Sequence, residues 1–162
     1  MNMQSVAPAA LAQPAPAPSS REWRGHLRST RYVLEPLLLR CAEEENPRIS
    51  LPERLLFNAC EFWAAVANRC LIRHLGRAPH WRLAMATDAF EGCGAIRVAR
   101  VLRRQASALP TKPSGETVEQ TVAALEAALL PMSQEIDTAL ARFANRILDD
   151  SETSPQIGAS SC

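Results

Sequence analysis

Apolar side chains recur along this chain at steps of three and four residues, which is the period of an amphipathic helix. Between about residues 20 and 45, after Ser19 or Ser20 as N-cap, they predict one helical face: Trp23, Leu27, Thr30, Leu34, Leu37, Leu38 and Cys41. Pro36 lacks a backbone N–H, so we expect it to kink this helix or to split it near Glu35.

A second helix is predicted from the letters "SLPE", where Ser50 can cap the helix and Glu53 can complete a capping box. Apolar residues from Leu55 to Leu71 then cover almost half of the helix circumference, which is typical of the central helix of a bundle. We expect this helix to continue to Gly76. Its alanines Ala64, Ala65 and Ala67 favour close helix packing over an open cofactor pocket.

The third helical segment contains two glycines in the stretch "FEGCGAIRVARVLRR", residues 90–104. The apolar faces before and after the glycines differ by roughly a quarter turn on one helical wheel. Gly92 and Gly94 therefore predict a bend, or a break with a close helix crossing. A phosphate loop is disfavoured, because the preceding segment is helical and no Lys-Ser or Lys-Thr follows.

A fourth helical pattern runs from about residue 115 to 150 behind Ser114 as a cap, and its rhythm continues through Pro131. It predicts one kinked helix or two nearly coaxial helices. Together the patterns indicate an all-α, four-helix-type bundle of four to five helices, bent at Pro36, Gly92/Gly94 and Pro131. We expect one domain over 20–150, a disordered Ala/Pro-rich tail over 1–19 and a second disordered tail over 151–162.

The basic residues are 17 arginines and one lysine, and they are unevenly distributed. Residues 1–109 carry 15 basic and 9 acidic side chains, whereas residues 110–162 carry 3 and 8. These opposite charges can neutralise each other within a bundle or across a dimer. Two ridges of arginines are the candidate sites for an anionic partner: Arg97, Arg100, Arg103 and Arg104 in the third segment, and Arg21, Arg24, Arg28 and Arg31 in the first.

The five cysteines have no C-x-x-C spacing, and the histidines have no metal-ligand spacing. We therefore expect no metal and no cofactor, and a reducing, cytoplasmic location. The chain holds no apolar run that could span a bilayer and no secretory signal pattern, so we expect no membrane partner.

The function predicted from these patterns is a non-enzymatic, intracellular protein-interaction module that binds a protein partner or itself through its helix faces. It would act as an adaptor, a chaperone-like subunit or an accessory regulator, and a homodimer is one form. One alternative is a nucleic-acid-associated regulator that uses the two arginine ridges, although no known nucleic-acid-binding motif accompanies them. A second alternative is a helical enzyme or small-ligand binder around His74, His80 and Glu61.

Overall fold

The computed structural model describes the backbone of residues 20–43 and 48–153, and the side chains of residues 30–40, 43 and 48–151. All regular elements in these ranges are helical, which confirms the all-α prediction. They are α1 (Ser20–Glu43), α2 (Leu51–Ala67), α3 (Leu71–Leu75), α4 (Pro79–Gly92), α5 (Ile96–Ala108), α6 (Gly115–Leu129) and α7 (Ser133–Thr153), with a 3₁₀ turn (Leu130–Met132) before α7.

The two predicted tails lie almost entirely outside the described residues. Residues 1–19 and 154–162 are not part of the description, and the predictions of disorder there stay predictions. The exception is the segment 151–153, which continues α7 beyond its predicted end at Asp150.

α1 is continuous through Pro36, so this proline does not divide the helix in two. Among its described side chains, Val33 and Leu37 are the most deeply buried apolar ones, while Leu38 is 52% exposed. Thr30 and Leu37 are buried as predicted, but the predicted face included Leu38 and not Val33. The buried side of α1 is therefore turned toward Val33.

α2 begins at the predicted capping box. The Glu53 N–H faces the Ser50 hydroxyl at 3.4 Å, and the Ser50 N–H donates to the Glu53 carboxylate at 2.8 Å. Burial alone would raise the pKa of Glu53, but the hydrogen bonds from Ser50 and the charge of Arg40 outweigh it, so the pKa lies below its ordinary value. Arg40 also forms an ion pair with Glu53, which fixes the end of α1 beside the start of α2.

The prediction that the second helix continues to Gly76 is wrong, because α2 ends at Ala67 and the separate helix α3 follows. The Cys70 N–H donates to the carbonyl of Ala65 at 2.9 Å, and the Arg69 N–H donates to that of Val66 at 3.1 Å. This is the Schellman arrangement, which needs a left-handed residue after the helix. Arg69 occupies that position with φ of 55°, although glycine usually does.

The two glycines of the third segment produce a complete break between α4 and α5. The Ala95 N–H donates to the Phe90 carbonyl at 2.8 Å and the Gly94 N–H to the Glu91 carbonyl at 3.0 Å, which is a second Schellman arrangement. Gly94 has φ of 82°, a conformation that glycine adopts without steric cost.

Gly92 serves a different purpose from Gly94. A Cβ at this position would lie 2.7 Å from the Cδ1 of Leu55, so the end of α4 passes very close to the start of α2. Both parts of the sequence interpretation, a joint and a close crossing, are therefore present in one short segment.

Pro131 separates α6 from α7 through the 3₁₀ turn. α6 packs against α3 and α5, whereas α7 packs against α1 and α2. The helix α2 contacts α1, α3, α4 and α7, as predicted for a central helix. The fully buried core includes large side chains from most helices: Leu37, Leu56, Phe62, Leu75, Phe90, Leu102, Leu125 and Ile136.

Candidate functional site

The arginine ridge on α5 is exposed, as predicted, but half of it is engaged within the molecule. Arg97 forms an ion pair with Glu135 at 2.7 Å, and Arg103 forms one with Glu91 at 2.6 Å. Arg100 and Arg104 are exposed, and neither forms an ion pair within the described part of the chain. The ridge is therefore partly neutralised by acidic side chains of α4 and α7.

The arginine ridge on α1 is described at only one of its four side chains. Arg31 forms an exposed ion pair with Glu35 one turn later, at 2.5 Å. Arg21, Arg24 and Arg28 belong to the helical backbone of α1, and their side chains lie outside the described set. The binding role of both ridges stays a prediction.

The structure brings together only two of the three residues of the histidine hypothesis. The Nδ1 atom of His74 lies 3.8 Å from the Glu61 carboxylate, and the imidazole packs edge-on against Phe62. Burial lowers the pKa of His74, although the charge of Glu61 acts in the opposite direction. The Nε2 atom of His80 lies 2.9 Å from the carbonyl oxygen of Pro110 instead. The imidazole of His74 thus has the surroundings of a core histidine.

The half-buried thiol of Cys60 and the buried thiol of Cys93 are held in their unreactive form. Burial raises the pKa of Cys60 to about 12, with a further contribution from the charge of Asp137. Burial likewise raises the pKa of Cys93 to about 12. A thiol with such a pKa is protonated at neutral pH and is a poor nucleophile and a poor metal ligand.

The described residues contain neither a metal-binding cluster nor a helix that could span a membrane. Among the described side chains, those of residues 30–40, 43 and 48–151, histidine, cysteine and carboxylate groups form no cluster of three or more that could hold a metal ion. In the described backbone, residues 20–43 and 48–153, none of the helices combines the length and the apolar character needed to cross a bilayer.

An open cleft between α1, α2 and α7, here called the α1–α2 groove, was not predicted from the sequence. Its volume is about 460 Å³, and its wall is mainly apolar. The described lining is Thr30, Leu34, Leu38, Phe57, Cys60, Glu61, Trp63, Ala64, Ala67, Asn68, Asp137 and Leu140.

The three alanines for which close packing was predicted divide into two groups. Ala65 is buried in the core, as predicted, whereas Ala64 and Ala67 have the opposite effect. Ala64 and Ala67 lie on the groove wall and are exposed, so their small side chains leave space instead of allowing a neighbouring helix to approach closely. A polar link lies between two of the groove's helices, where the indole Nε1–H of Trp63 donates to Asp137 at 2.9 Å. This hydrogen bond joins α2 to α7 along the groove.

Exposed apolar side chains are concentrated near the junction of α1 and α2. Five of the eight large apolar residues that are exposed in the described part of the chain lie between positions 32 and 51: Tyr32, Leu38, Leu39, Ile49 and Leu51. Tyr32 and Leu39 are 66% and 60% exposed, and with Pro36 they form one stripe at steps of four and three. This stripe is called the α1 outer face below.

A signal for this face was present in the sequence. Leu37, Leu38 and Leu39 are consecutive, and successive residues of a helix point about 100° apart, so one buried face cannot accept all three. At least one leucine had to lie toward solvent or toward another surface.

Comparison of the chain with protein-family models, with curated proteins and with solved structures gives no match in any of the three. The features of the structure that bear on function are the groove, the α1 outer face and the charged residues of the helices.

Proposed function

We propose that this protein is a non-enzymatic, intracellular protein-interaction module that forms a homodimer through the α1 outer face. The observation that supports this most directly is the exposure of Tyr32 and Leu39 on one stripe of a long helix. Exposed apolar residues grouped in one region, unlike scattered ones, are characteristic of an interaction surface. At 24 residues, α1 is about 36 Å long, which is sufficient for an extended helix pair.

Charges beside the stripe favour a second copy as the partner. A two-fold symmetric contact brings the same surface of each copy together, so the surface has to be complementary to itself. Arg31 and Glu35 lie next to the stripe, one turn apart and both exposed. In an antiparallel pair of α1 helices whose two-fold axis passes near residue 33, Arg31 of one copy can meet Glu35 of the other. Tyr32 then packs close to the axis and Leu39 about 9 Å along the helix from it.

The non-enzymatic part of the proposal is supported by the chemistry of the buried groups. The thiols of Cys60 and Cys93 are protonated, because burial raises the pKa of each to about 12. His74 packs against an aromatic ring and has a carboxylate beside it at 3.8 Å, which exceeds hydrogen-bonding distance. These groups have the environment of core residues.

The intracellular, cytoplasmic location is supported by the cysteines. In the described ranges, Cys60, Cys70 and Cys93 all carry free thiols, and Cys70 is exposed. Exposed thiols persist in a reducing compartment.

The nucleic-acid alternative receives less support from the structure than self-association does. Two of the four arginines on α5 already pair with Glu91 and Glu135, and each engaged arginine is one fewer to neutralise a phosphate. Arg100 and Arg104 are the residues that such an interaction would use.

The oligomeric state tests the proposal. We expect sedimentation or light scattering of the full chain to give a dimer at micromolar concentration, and the double variant Tyr32→Glu/Leu39→Glu to give a monomer. Glutamate is tolerated on an exposed helix surface, so circular dichroism should show unchanged helix content. The matched control is Ile96→Glu, which places the same charge at a 43% exposed apolar position on α5 and should leave the dimer intact.

Two outcomes would contradict the proposal. One is a full-length protein that is monomeric at every concentration up to about a millimolar, which would leave the α1 outer face without a second copy. The other is a dimer that persists in the α1 double variant but dissociates in Ile96→Glu, which would place the interface on α5.

A further inference from the structure

A second cleft, here called the Trp81 cleft, lies where α3, the start of α4 and the start of α6 meet. Its volume is about 670 Å³, and its described lining includes Ile72 of α3, Trp81 of α4 and Val118 of α6. The Nε2 atom of His80 lies 2.9 Å from the carbonyl oxygen of Pro110. This contact ties the start of α4 to the connection between α5 and α6, so two walls of the cleft are held in place.

Trp81 presents to this cleft an indole ring that the described residues leave largely uncovered. The residue is 56% exposed, and the guanidinium of Arg82 lies over one face of the ring at 5.1 Å, which leaves the other face. The indole N–H of Trp63 donates to Asp137, but that of Trp81 has no acceptor among the described residues. A ring face and a hydrogen-bond donor are therefore both available to a molecule in the cleft.

An exposed aromatic ring in a cleft is the surface on which proline-rich segments dock in the polyproline II conformation. A polyproline II chain has no internal hydrogen bonds, so its carbonyls are free to accept from a donor such as an indole N–H. The sequence before α1 has the matching composition. Residues 8–18, "PAALAQPAPAP", hold four prolines and no charged residue.

The start of α1 lies at the same end of the bundle as the Trp81 cleft. Arg40, near the end of α1, pairs with Glu53 near the start of α2. Gly92, at the end of α4, lies against Leu55 in the same part of α2. Both α1 and α4 therefore begin at the opposite end of α2, where α3 follows in the chain.

The proline-rich segment is long enough to reach the cleft. At about 3.1 Å per residue, the distance from Pro8 to Ser20 in a polyproline II chain is about 37 Å. Neighbouring helices of a bundle lie about 10 Å apart, so this length crosses about three helices. Because the segment is tethered to α1, its effective concentration at the cleft is on the order of millimolar, at which a weak contact is populated.

We propose that residues 8–18 dock in the Trp81 cleft of their own chain as a polyproline II segment, with proline rings against the indole of Trp81 and a carbonyl accepting its N–H. The docked segment covers the exposed ring, so any other proline-rich molecule has to compete with it for the cleft. The proposal does not rest on self-association, because the α1 outer face uses Tyr32 and Leu39.

The indole N–H signal of Trp81 in a nitrogen-15 NMR spectrum of the full chain tests the proposal. Its loss in Trp81→Phe identifies the signal. We expect the signal to shift when all four prolines of the segment are replaced, in the variant Pro8→Ala/Pro14→Ala/Pro16→Ala/Pro18→Ala. The signal of Trp63 is the internal control and should not move, because this indole lies in the core. An unchanged Trp81 signal would overturn the proposal.

Two synthetic peptides provide a second test, one with the sequence of residues 5–20 and one with its four prolines replaced by alanine. Added to the proline-free variant, the natural peptide should move the Trp81 signal toward its position in the unaltered chain. The alanine peptide should bind at least about threefold more weakly, and so should the natural peptide when it is added to the unaltered chain, where the tethered segment competes. Absence of binding, or equal binding of the two peptides, would overturn the proposal.

The double variant Tyr32→Glu/Leu39→Glu separates this proposal from the proposed function. If this variant is monomeric and its Trp81 signal stays at the position of the unaltered chain, the segment docks in its own chain. A signal at the position of the proline-free variant would mean that the segment comes from a second copy, which overturns docking within one chain. Neither position of the signal bears on whether the α1 outer face forms the dimer, which is measured by sedimentation.

Discussion

The two sides of α2 differ in how completely they are covered. On one side α4 approaches so closely that a Cβ on Gly92 would collide with Leu55, and Phe62 packs edge-on against Phe90 with ring centres 6.1 Å apart. On the other side, α1 and α7 leave the α1–α2 groove open beside Ala64. The filled side supplies the stability of the fold, and the open side is the part of α2 available for binding.

This difference shows that a small residue on a helix can produce either a close helix contact or a cavity. Gly92 permits a close crossing because a neighbouring helix is present to use the space. Ala64 and Ala67 produce a cavity because α1 does not move into the space they leave. The position of the neighbouring helix, and not the size of the residue alone, decides between contact and cavity.

The largest expected effect comes from truncating the filled side. Phe90→Ala removes a completely buried ring and should lower the free energy of unfolding by about 3–5 kcal/mol. Leu38→Ala, the matched truncation on the open side, removes a side chain that is 52% exposed and should cost less than about 1 kcal/mol. Urea unfolding followed by circular dichroism measures both, and equal losses would mean that the two sides of α2 do not differ.

A smaller loss of unfolding free energy is expected at Gly94, the joint between α4 and α5. Gly94→Ala places a Cβ on a residue with φ of 82°, which should cost about 1–2 kcal/mol. Gly115→Ala is the control, since a Cβ there meets no atom within 4 Å and its φ lies outside the left-handed range. A Gly94→Ala protein as stable as Gly115→Ala would show that the joint does not need a glycine.

Acidification should weaken the contact of α3 with α2 through His74. Because burial lowers its pKa in the folded state, the unfolded chain binds a proton more readily. The contribution of His74 to the free energy of unfolding is therefore complete above its ordinary pKa of about 6.5 and is lost as the pH falls below that value. The loss levels off below the lowered folded-state pKa. Unfolding of His74→Gln, measured between pH 8 and about 4, should show a flatter pH dependence than the unaltered chain.

The smallest expected effect concerns the ion pairs of α5. Arg103→Gln removes the exposed pair with Glu91, and we expect a loss of between zero and about 1 kcal/mol. Arg100→Gln, on the same ridge, removes no ion pair of the described residues and should cost less. The difference between the two variants should shrink in high salt, because salt screens exposed charges. A larger loss from Arg100→Gln would indicate that it has a role that the ion pairs do not explain.

The sequence was sufficient to predict the elements that depend on local chemistry. The helical period, the Ser50–Glu53 capping box and the break at Gly92 and Gly94 are all short-range features, and the structure has each of them. The end of α2 was missed because Arg69 carries no sequence signal for a left-handed conformation, which glycine usually marks. Its ion pair with Glu126, 57 residues later in the sequence, is a contact that periodicity alone cannot predict.

The candidate sites were predictable to different degrees. The exposure of the α5 arginines follows from the helical period, but their pairing with Glu135 and Glu91 depends on how helices meet. The α1–α2 groove was missed for the same reason, since its walls come from three helices and its volume depends on the distances between them. Apolar periodicity indicates which side of a helix is buried, but it does not indicate how near the neighbouring helix lies.

The ion pair between Arg40 and Glu53 fixes α1 to α2 at one end of the hairpin that the two helices form. Glu53 also accepts a hydrogen bond from the Ser50 N–H, so the same carboxylate takes part in the cap of α2. A small rotation of α1 about this point would move Thr30 farther than Leu38, because displacement grows with distance from a pivot. Because α1 also packs against α7, the ion pair and α7 together set the width of the hairpin at its far end.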